Sequence, residues 1–167
     1  MSERELQWIA RSAETNYPIV EVGCYHGRST RAWTDNCPGQ VYAVDPWKGT
    51  YYTDKGRALL EIGECVYSSF YSNVKDCKNL IVFRGELPQF VESKIMGEQA
   101  GLVFIDGDHR EEQVRIDIDA AMKILRPGGI IAGHDYTHTD WPGVKRVVDE
   151  LFPTAMKWES IWWIQKS

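Results

Sequence analysis

The sequence predicts an α/β protein built on one mostly parallel sheet covered on both faces. Two observations predict it. Short apolar, β-rich runs alternate with segments of helical periodicity, the pattern that parallel strands and crossover helices produce. Acids, glycines and histidines follow those runs closely, at the carboxyl ends of the strands, where ligands of such sheets bind.

The elements can be justified in order. Leu6, Ile9, Ala10 and Ala13 form a stripe at spacings of three and four, which predicts a short first helix. Strands are predicted at Ile19 to Val22, Val41 to Val44, Leu80 to Phe83, Leu102 to Ile105 and Ile130 to Ala132. Helices are predicted after Ser29, over about Arg57 to Phe70, after Pro88, and over Glu111 to Leu125. In the last of these Val114, Ile116 and Ile118 alternate like a strand. Val114, Ile118, Ala121 and Leu125 also fit a helical stripe, and the length of the segment decides for helix, stopped by Pro127-Gly128-Gly129. Val144, Val147, Val148 and Leu151 mark one more helix. Ala155 to Trp158 and Ile161 to Gln165 complete seven strands, with Trp162 and Trp163 packing in the last. Pro46 to Lys55 reads as the longest loop and is placed to cover a site.

Composition narrows the function classes. A chain of 167 residues without repeats or a low-complexity linker predicts one domain, 1–167. A net charge of −5 with no lysine or arginine run argues against a nucleic-acid partner, because phosphate binding leaves a basic footprint. No apolar stretch reaches membrane-spanning length and the start carries no apolar signal core, so no membrane partner and a cytoplasmic location are expected. Cys24, Cys37, Cys65 and Cys77 show no Cys-x-x-Cys pairing and are read as reduced, without structural zinc.

The most informative segment is Ile-Val-Glu21-Val-Gly23-Cys-Tyr25-His-Gly27-Arg-Ser29-Thr30. An apolar run ends in two glycines and enters a segment able to be helical, the form of a ligand-binding strand-turn-helix. Glycine permits tight turning and close approach, and a helix start offers unpaired N–H groups to an anion. A dinucleotide turn would need Gly-x-Gly-x-x-Gly, and the third glycine is missing. Glu21 at the strand end suits a cationic ligand instead. The next strand ends in Asp45, roughly 20 residues on, where a carboxylate is expected to hold ribose hydroxyls; the competing reading is that Asp45 only starts the turn at Pro46.

Reactive groups concentrate at Asp106, Asp108, His109, His134 and Asp135, delivered by two strand ends to the same sheet edge. Oxygen and imidazole ligands of this sort suit Mg²⁺, Mn²⁺ or a related divalent ion. The competing reading makes Asp106 and Asp135 caps of helices and turns. His26 and His138 are weaker candidates.

With Leu102-Val-Phe-Ile-Asp106-Gly-Asp108-His109, Leu125-Arg-Pro-Gly128-Gly129-Ile-Ile-Ala-Gly-His134-Asp135-Tyr136 and Gly143-Val-Lys-Arg added, the chain resembles class I S-adenosylmethionine-dependent methyltransferases. It is similar to the small bacterial branch that groups with catechol-type and macrocin-like sugar O-methyltransferases, over almost its whole length. The resemblance implies a Rossmann-like, doubly wound, seven-stranded sheet with the last strand antiparallel. It implies S-adenosyl-L-methionine as cofactor, with Glu21 facing the methionine amino group, Gly23, Tyr25 and Gly27 close to the cofactor, and Ser29 on the methionine carboxylate. Asp45 would take the ribose, and Gly85, Glu86 and Trp47 would surround the adenine. In metal-dependent relatives the ligands fall on Asp106 and the pair His134-Asp135, and the general base falls on His109, with Asp106 beside it. The usual pair there is Asp-Asp or Asp-Asn, so His134 is a departure that softens the site toward transition metals. The expected partner is a small hydroxylated acceptor, such as a sugar or glycan precursor. Trp47, Tyr51, Tyr52, Tyr136 and Trp141 suit stacking on it. A homo-oligomer is one way to complete the pocket of so short a chain. A non-catalytic binding module and an NAD-dependent oxidoreductase are the alternative classes.

Overall fold

In the computed structural model the elements run α1 (Glu3–Ser12), β1 (Ile19–Val22), α2 (Arg28–Asn36), β2 (Val41–Asp45), β3 (Thr50–Asp54), β4 (Arg57–Glu61), α3 (Gly63–Val74), β5 (Leu80–Arg84), α4 (Leu87–Ser93), β6 (Ala100–Ile105), α5 (Glu111–Ile124), β7 (Leu125–Gly133), α6 (Pro142–Leu151), β8 (Met156–Trp158) and β9 (Ile161–Gln165). The structure describes the backbone of residues 1–54 and 57–167, and the side chains of residues 1–49 and 62–167. Seven strands form one sheet in the order β5-β2-β1-β6-β7-β9-β8. β9 is antiparallel to both β7 and β8 and is the one reversed strand, as the resemblance implies. The order reverses at β1, between β2 and β6, and this is the switch point where such sheets bind ligands.

Strand parity sorts the core into two layers, because successive side chains point to opposite faces. Val20 and Val22 pack with Leu87, Phe90, Val114, Ile118 and Val147, under α4, α5 and α6. Ile19 packs with Ile9 and Trp33, under α1 and α2. Val66, Phe70 and Val74 of α3 close a third cluster over Ala43 and Trp47. The two tryptophans of β9 divide in the same way, Trp162 to one layer and Trp163 to the other. All four cysteines are free. Among the described residues no helix is long and apolar enough to cross a membrane.

Three predicted boundaries are corrected. The helix expected over Arg57 to Phe70 begins only at Gly63, because Arg57–Glu61 is a strand paired antiparallel to Thr50–Asp54. Arg-Ala-Leu-Leu-Glu favours helix locally, and pairing with the β-prone Tyr51-Tyr52-Thr53 overrides it. The same hairpin takes up half of the loop expected at Pro46 to Lys55, from Thr50 to Asp54; Lys55 lies outside the described residues. β7 starts at Leu125, five residues earlier than expected. Pro127-Gly128-Gly129 ends the helix and stays in the strand, with Gly128 N–H donating to the Lys166 carbonyl and Lys166 N–H to that of Gly129.

Candidate functional site

A cavity of about 1200 Å³ opens at the carboxyl ends of β5, β2, β1 and β6. Its floor exists because Gly23 lacks a side chain. Gly23 has φ +82°, and a Cβ there would stand 2.3 Å from the Asp106 carbonyl oxygen and 2.6 Å from Gly107 Cα. The glycine therefore lets the ends of β1 and β6 touch, where the sequence suggested close approach of a ligand. Gly27 is similar. It caps α2 with φ +85°, its missing Cβ faces the Phe70 ring at 2.9 Å, and it is absent from the cavity wall. α2 starts without a side-chain cap, so its first N–H groups stay open toward the wall that Ser29 lines.

Glu21 lies one residue behind the rim. It shares the parity of Ile19, so it points toward α2 and is fully buried. One carboxylate oxygen accepts a hydrogen bond from the Thr30 hydroxyl, while Oε1 has no hydrogen-bond partner among the described residues. Burial pushes its carboxyl up to about 7.

Asp45 lines the cavity and also builds the turn around it. Its Oδ2 accepts from the backbone N–H groups of Cys24 at 2.8 Å and Tyr25 at 3.1 Å, and its Oδ1 from that of Trp47 at 2.6 Å. The turn-starting bond to Trp47 is thus present, and it is made by a residue of the cavity wall. Tyr25 and Trp47 both sit at positive φ. Trp47 touches the cavity but is mostly core, packed on Phe70 with centroids 4.7 Å apart and donating from Nε1 to the Tyr25 carbonyl. Gly85 and Glu86 are on the wall; Glu86 also pairs with Lys48 at 2.6 Å and caps α4.

The groups after β6 and β7 meet as predicted in space. His109 Nε2 lies 2.6 Å from Asp135 Oδ2, and the imidazole stacks on Trp141 with centroids 4.8 Å apart and planes at 20°. His134 Nδ1 lies 3.2 Å from Asp135 Oδ1 and 3.6 Å from Asp106 Oδ1. Asp106 and His109 line the large cavity; His134 lies behind them and lines a small void with them and Trp162. Asp108 lines both as well, and it holds Arg110 at 2.6 Å and caps its loop.

Charge distribution follows from this packing. Burial lowers the affinity of His134 for a proton, but the bond to Asp135 and the charges of Asp106, Asp135 and Glu5 outweigh it and lift its pKa to about 9. His109 is likewise pulled down by burial and raised overall by Asp135, with Asp106 and Asp108 adding. Burial acts to raise Asp135, yet its bonds to the two imidazoles hold it far below the usual carboxylate range. Burial raises Asp106, which lacks such a direct bond.

Glu5, Gly143, Gln113 and Asp117 had no role in the site as read from the sequence. Glu5, buried in α1, stands 3.1 Å from His134 Nε2 and accepts from Ser160 N–H at 3.2 Å and Ser2 N–H at 2.6 Å. Its capping box with Ser2 was a readable signal for the helix start; the contact with His134 was not. Gly143 lets α6 approach the His109 loop, since a Cβ would meet the His109 carbonyl at 2.8 Å. Gln113 and Asp117 of α5 also line the cavity. Of the aromatic candidates, Trp141 reaches the cavity, whereas Tyr136 turns away to donate to Asp149 at 2.7 Å. The side chains of Tyr51 and Tyr52 lie outside the described residues.

The family described as "Methyltransferase domain" matches residues 20–136. No curated protein matches by sequence. Among solved structures, the chain is similar to an O-methyltransferase from Bacillus cereus in complex with SAH, at 17% identity and TM-score 0.72, over 99% of this chain and 82% of that one. It is similar to the O-methyltransferase TomG of Streptomyces achromogenes, in complex with SAM, at 13% identity and TM-score 0.71, over 100% and 82%. CalS11, a TDP-rhamnose 3'-O-methyltransferase of calicheamicin biosynthesis, gives 12% identity and TM-score 0.67, over 97% and 77%. At these identities the likeness is one of fold.

Proposed function

The chain belongs to the methyltransferase-domain family, and on that premise we propose that it is an S-adenosylmethionine-dependent O-methyltransferase of a small hydroxylated acceptor, with a sugar or glycan precursor as the class. The observation that carries the reading is the His109–Asp135 pair, 2.6 Å apart, with His109 on the wall of the cavity. The sulfur nucleotides in the two bacterial neighbours support the donor, and the TDP-rhamnose enzyme supports the acceptor class.

The residues present fit such a donor. The open start of α2 and Ser29 would take the methionine carboxylate. The unpartnered Oε1 of Glu21 is an acceptor for the amino group, directly or through water. Asp45 retains about one lone-pair site for a ribose hydroxyl beyond its three backbone bonds, and Gly85 and Glu86 lie on the adenine side. S-adenosylmethionine, when bound, supplies the electrophilic methyl group.

His109 would do the proton chemistry. With Nε2–H donated to Asp135, the imidazole is fixed in one tautomer and Nδ1 is left to take the proton of the acceptor hydroxyl. Trp141, stacked on the ring, holds its plane. Most of the rate would come from alignment of the two reactants in the cavity.

A divalent ion is a second component of the reading, favoured by the direction of His134 Nδ1 toward Asp106 and Asp135. Glu5 stands 3.1 Å from Nε2 of His134 without hydrogen-bond geometry, and Nδ1 is directed at Asp106 and Asp135, the nitrogen that a ligating histidine would offer. Asp106, His134 and Asp135 each bring one ligand atom within 4.8 Å of the others. An ion there would polarise the acceptor oxygen and lower its pKa. Chelation is expected to depress turnover and added Mg²⁺ or Mn²⁺ to restore it. Turnover unchanged after exhaustive chelation would leave His134 as the cation among these carboxylates.

The test of the donor is direct titration. S-adenosylhomocysteine at 100 times its Kd is expected to stabilise the fold by about 2.7 kcal/mol, more than NAD at the same concentration. Asp45→Ala should weaken that affinity by roughly tenfold or more. It should also lower the melting temperature of the free protein, because three backbone N–H groups lose their acceptor. Stronger binding of NAD than of either sulfur nucleotide would overturn the reading.

A further inference from the structure

We propose that Asp117, supported by Gln113, is a specificity-determining residue that reads the exocyclic amine of the nucleobase; this rests on the donor reading above. Asp117 is 3% exposed, yet it belongs to the cavity wall. Its Oδ1 accepts from Gln113 Nε2 at 3.1 Å, one turn earlier on α5. Its Oδ2 stands beneath Gly107, 3.8 Å from the position a Cβ would take there. Among the described residues no lysine, arginine or histidine forms an ion pair with it. A carboxylate so buried calls for a further donor, and the cavity is where one can arrive.

The neighbouring acids define which end of the cavity this is. Glu86 and Asp108 both face Asp117 closely enough to act on its charge. Those two are already committed, Glu86 to Lys48 and Asp108 to Arg110, each at 2.6 Å. Asp117 is the uncommitted acceptor of the three. Its interaction with Glu86 places it near the Gly85–Glu86 turn, whereas Ser29 belongs to the first turn of α2, and all of these with Asp45 line the cavity. A nucleoside with its ribose at Asp45 and its amino-acid tail at Ser29 must send its base toward Gly107, Leu87 and Asp117. At position 6 a 6-aminopurine presents an N–H donor and a 6-oxopurine an acceptor, which a carboxylate repels; the N1–H of the 6-oxopurine lies one atom further round the edge. Burial, with Asp108 and Glu86 adding, lifts the carboxyl to about 6, so it remains an acceptor at neutral pH.

Isothermal titration of S-adenosylhomocysteine and S-inosylhomocysteine into the wild-type chain and Asp117→Asn tests this. The wild type is expected to prefer the adenosyl compound by about 10-fold to 100-fold, the range of a hydrogen bond to a charged group. Asp117→Asn, whose amide can donate to a 6-oxo group, should bring that ratio to within about threefold of unity. A wild type that binds both compounds equally, or a variant that binds with the wild-type ratio, overturns the proposal and leaves Asp117 a structural acid of α5. If the wild type binds neither compound, the donor reading itself falls. Gln113→Ala, which frees Oδ1 without removing the carboxylate, should lower adenosyl affinity while keeping the preference.

Discussion

His109→Ala is expected to leave S-adenosylhomocysteine affinity within about twofold of wild type while lowering turnover by roughly 10²-fold or more, the scale of lost general-base help. The separation follows from position. His109 stands at the Asp106–Asp135 end of the site and bonds only to Asp135 among those acids, at 2.6 Å, whereas Asp45 and Ser29 lie at the ends of β2 and the start of α2. The pH dependence has a definite sign. A base must be neutral, and Asp135 together with Asp106 and Asp108 holds the His109 pKa above its ordinary value despite burial. Turnover should therefore be fully present above that raised pKa and fall as pH drops through it, with an acid limb above the usual histidine range near 6.5. Asp135→Asn removes the charge and should shift the limb downward. A rate–pH profile unchanged in His109→Ala, or loss of cofactor affinity in that variant, would remove His109 as the base.

Much of this arrangement was legible because periodicity is a local property. Each strand end is written as an apolar run followed by an acid or glycine, and the order of those runs places Glu21, Asp45, Asp106 and His134 along one edge. Parity could even have oriented Glu21. Ile19 and Glu21 point the same way, so a strand that buries Ile19 under α1 and α2 must send Glu21 toward Thr30. What escaped depends on tertiary packing. Glu5 meets His134 across nearly the whole length of the chain, and no spacing rule connects them. Asp117 sits between Ile116 and Ile118 in the helix the sequence predicts, and only the packing of that helix turns it inward beside Gly107. The Thr50–Glu61 hairpin was missed because its second strand is locally helix-prone and is fixed by pairing.

Gly23→Ala is expected to be among the most damaging small substitutions in the chain. Two costs add there. The residue holds φ +82°, a left-handed conformation that costs an L-residue about 1–2 kcal/mol. The new methyl would also stand 2.3 Å from the Asp106 carbonyl oxygen and 2.5 Å from its carbonyl carbon, and a backbone neighbour cannot rotate away as a side-chain end can. Forcing an extra methyl into a packed region typically costs about 1–3 kcal/mol, more where backbone must move. The sum, about 3 kcal/mol or more, corresponds to a melting temperature lower by roughly 6–12 °C for a chain of this size. Function should fall further than stability, because the displaced segment carries Asp106 and Gly107 and leads to His109. Relieving the overlap pushes β6 away from β1 and opens the angle between the Asp45 turn and the His109–Asp135 pair. Gly97→Ala is the matched control: nothing lies within 4 Å of its Cβ position, and its melting temperature should stay within about 1 °C of wild type. Equal melting temperatures for the two variants would mean that the ends of β1 and β6 do not depend on contact through Gly23.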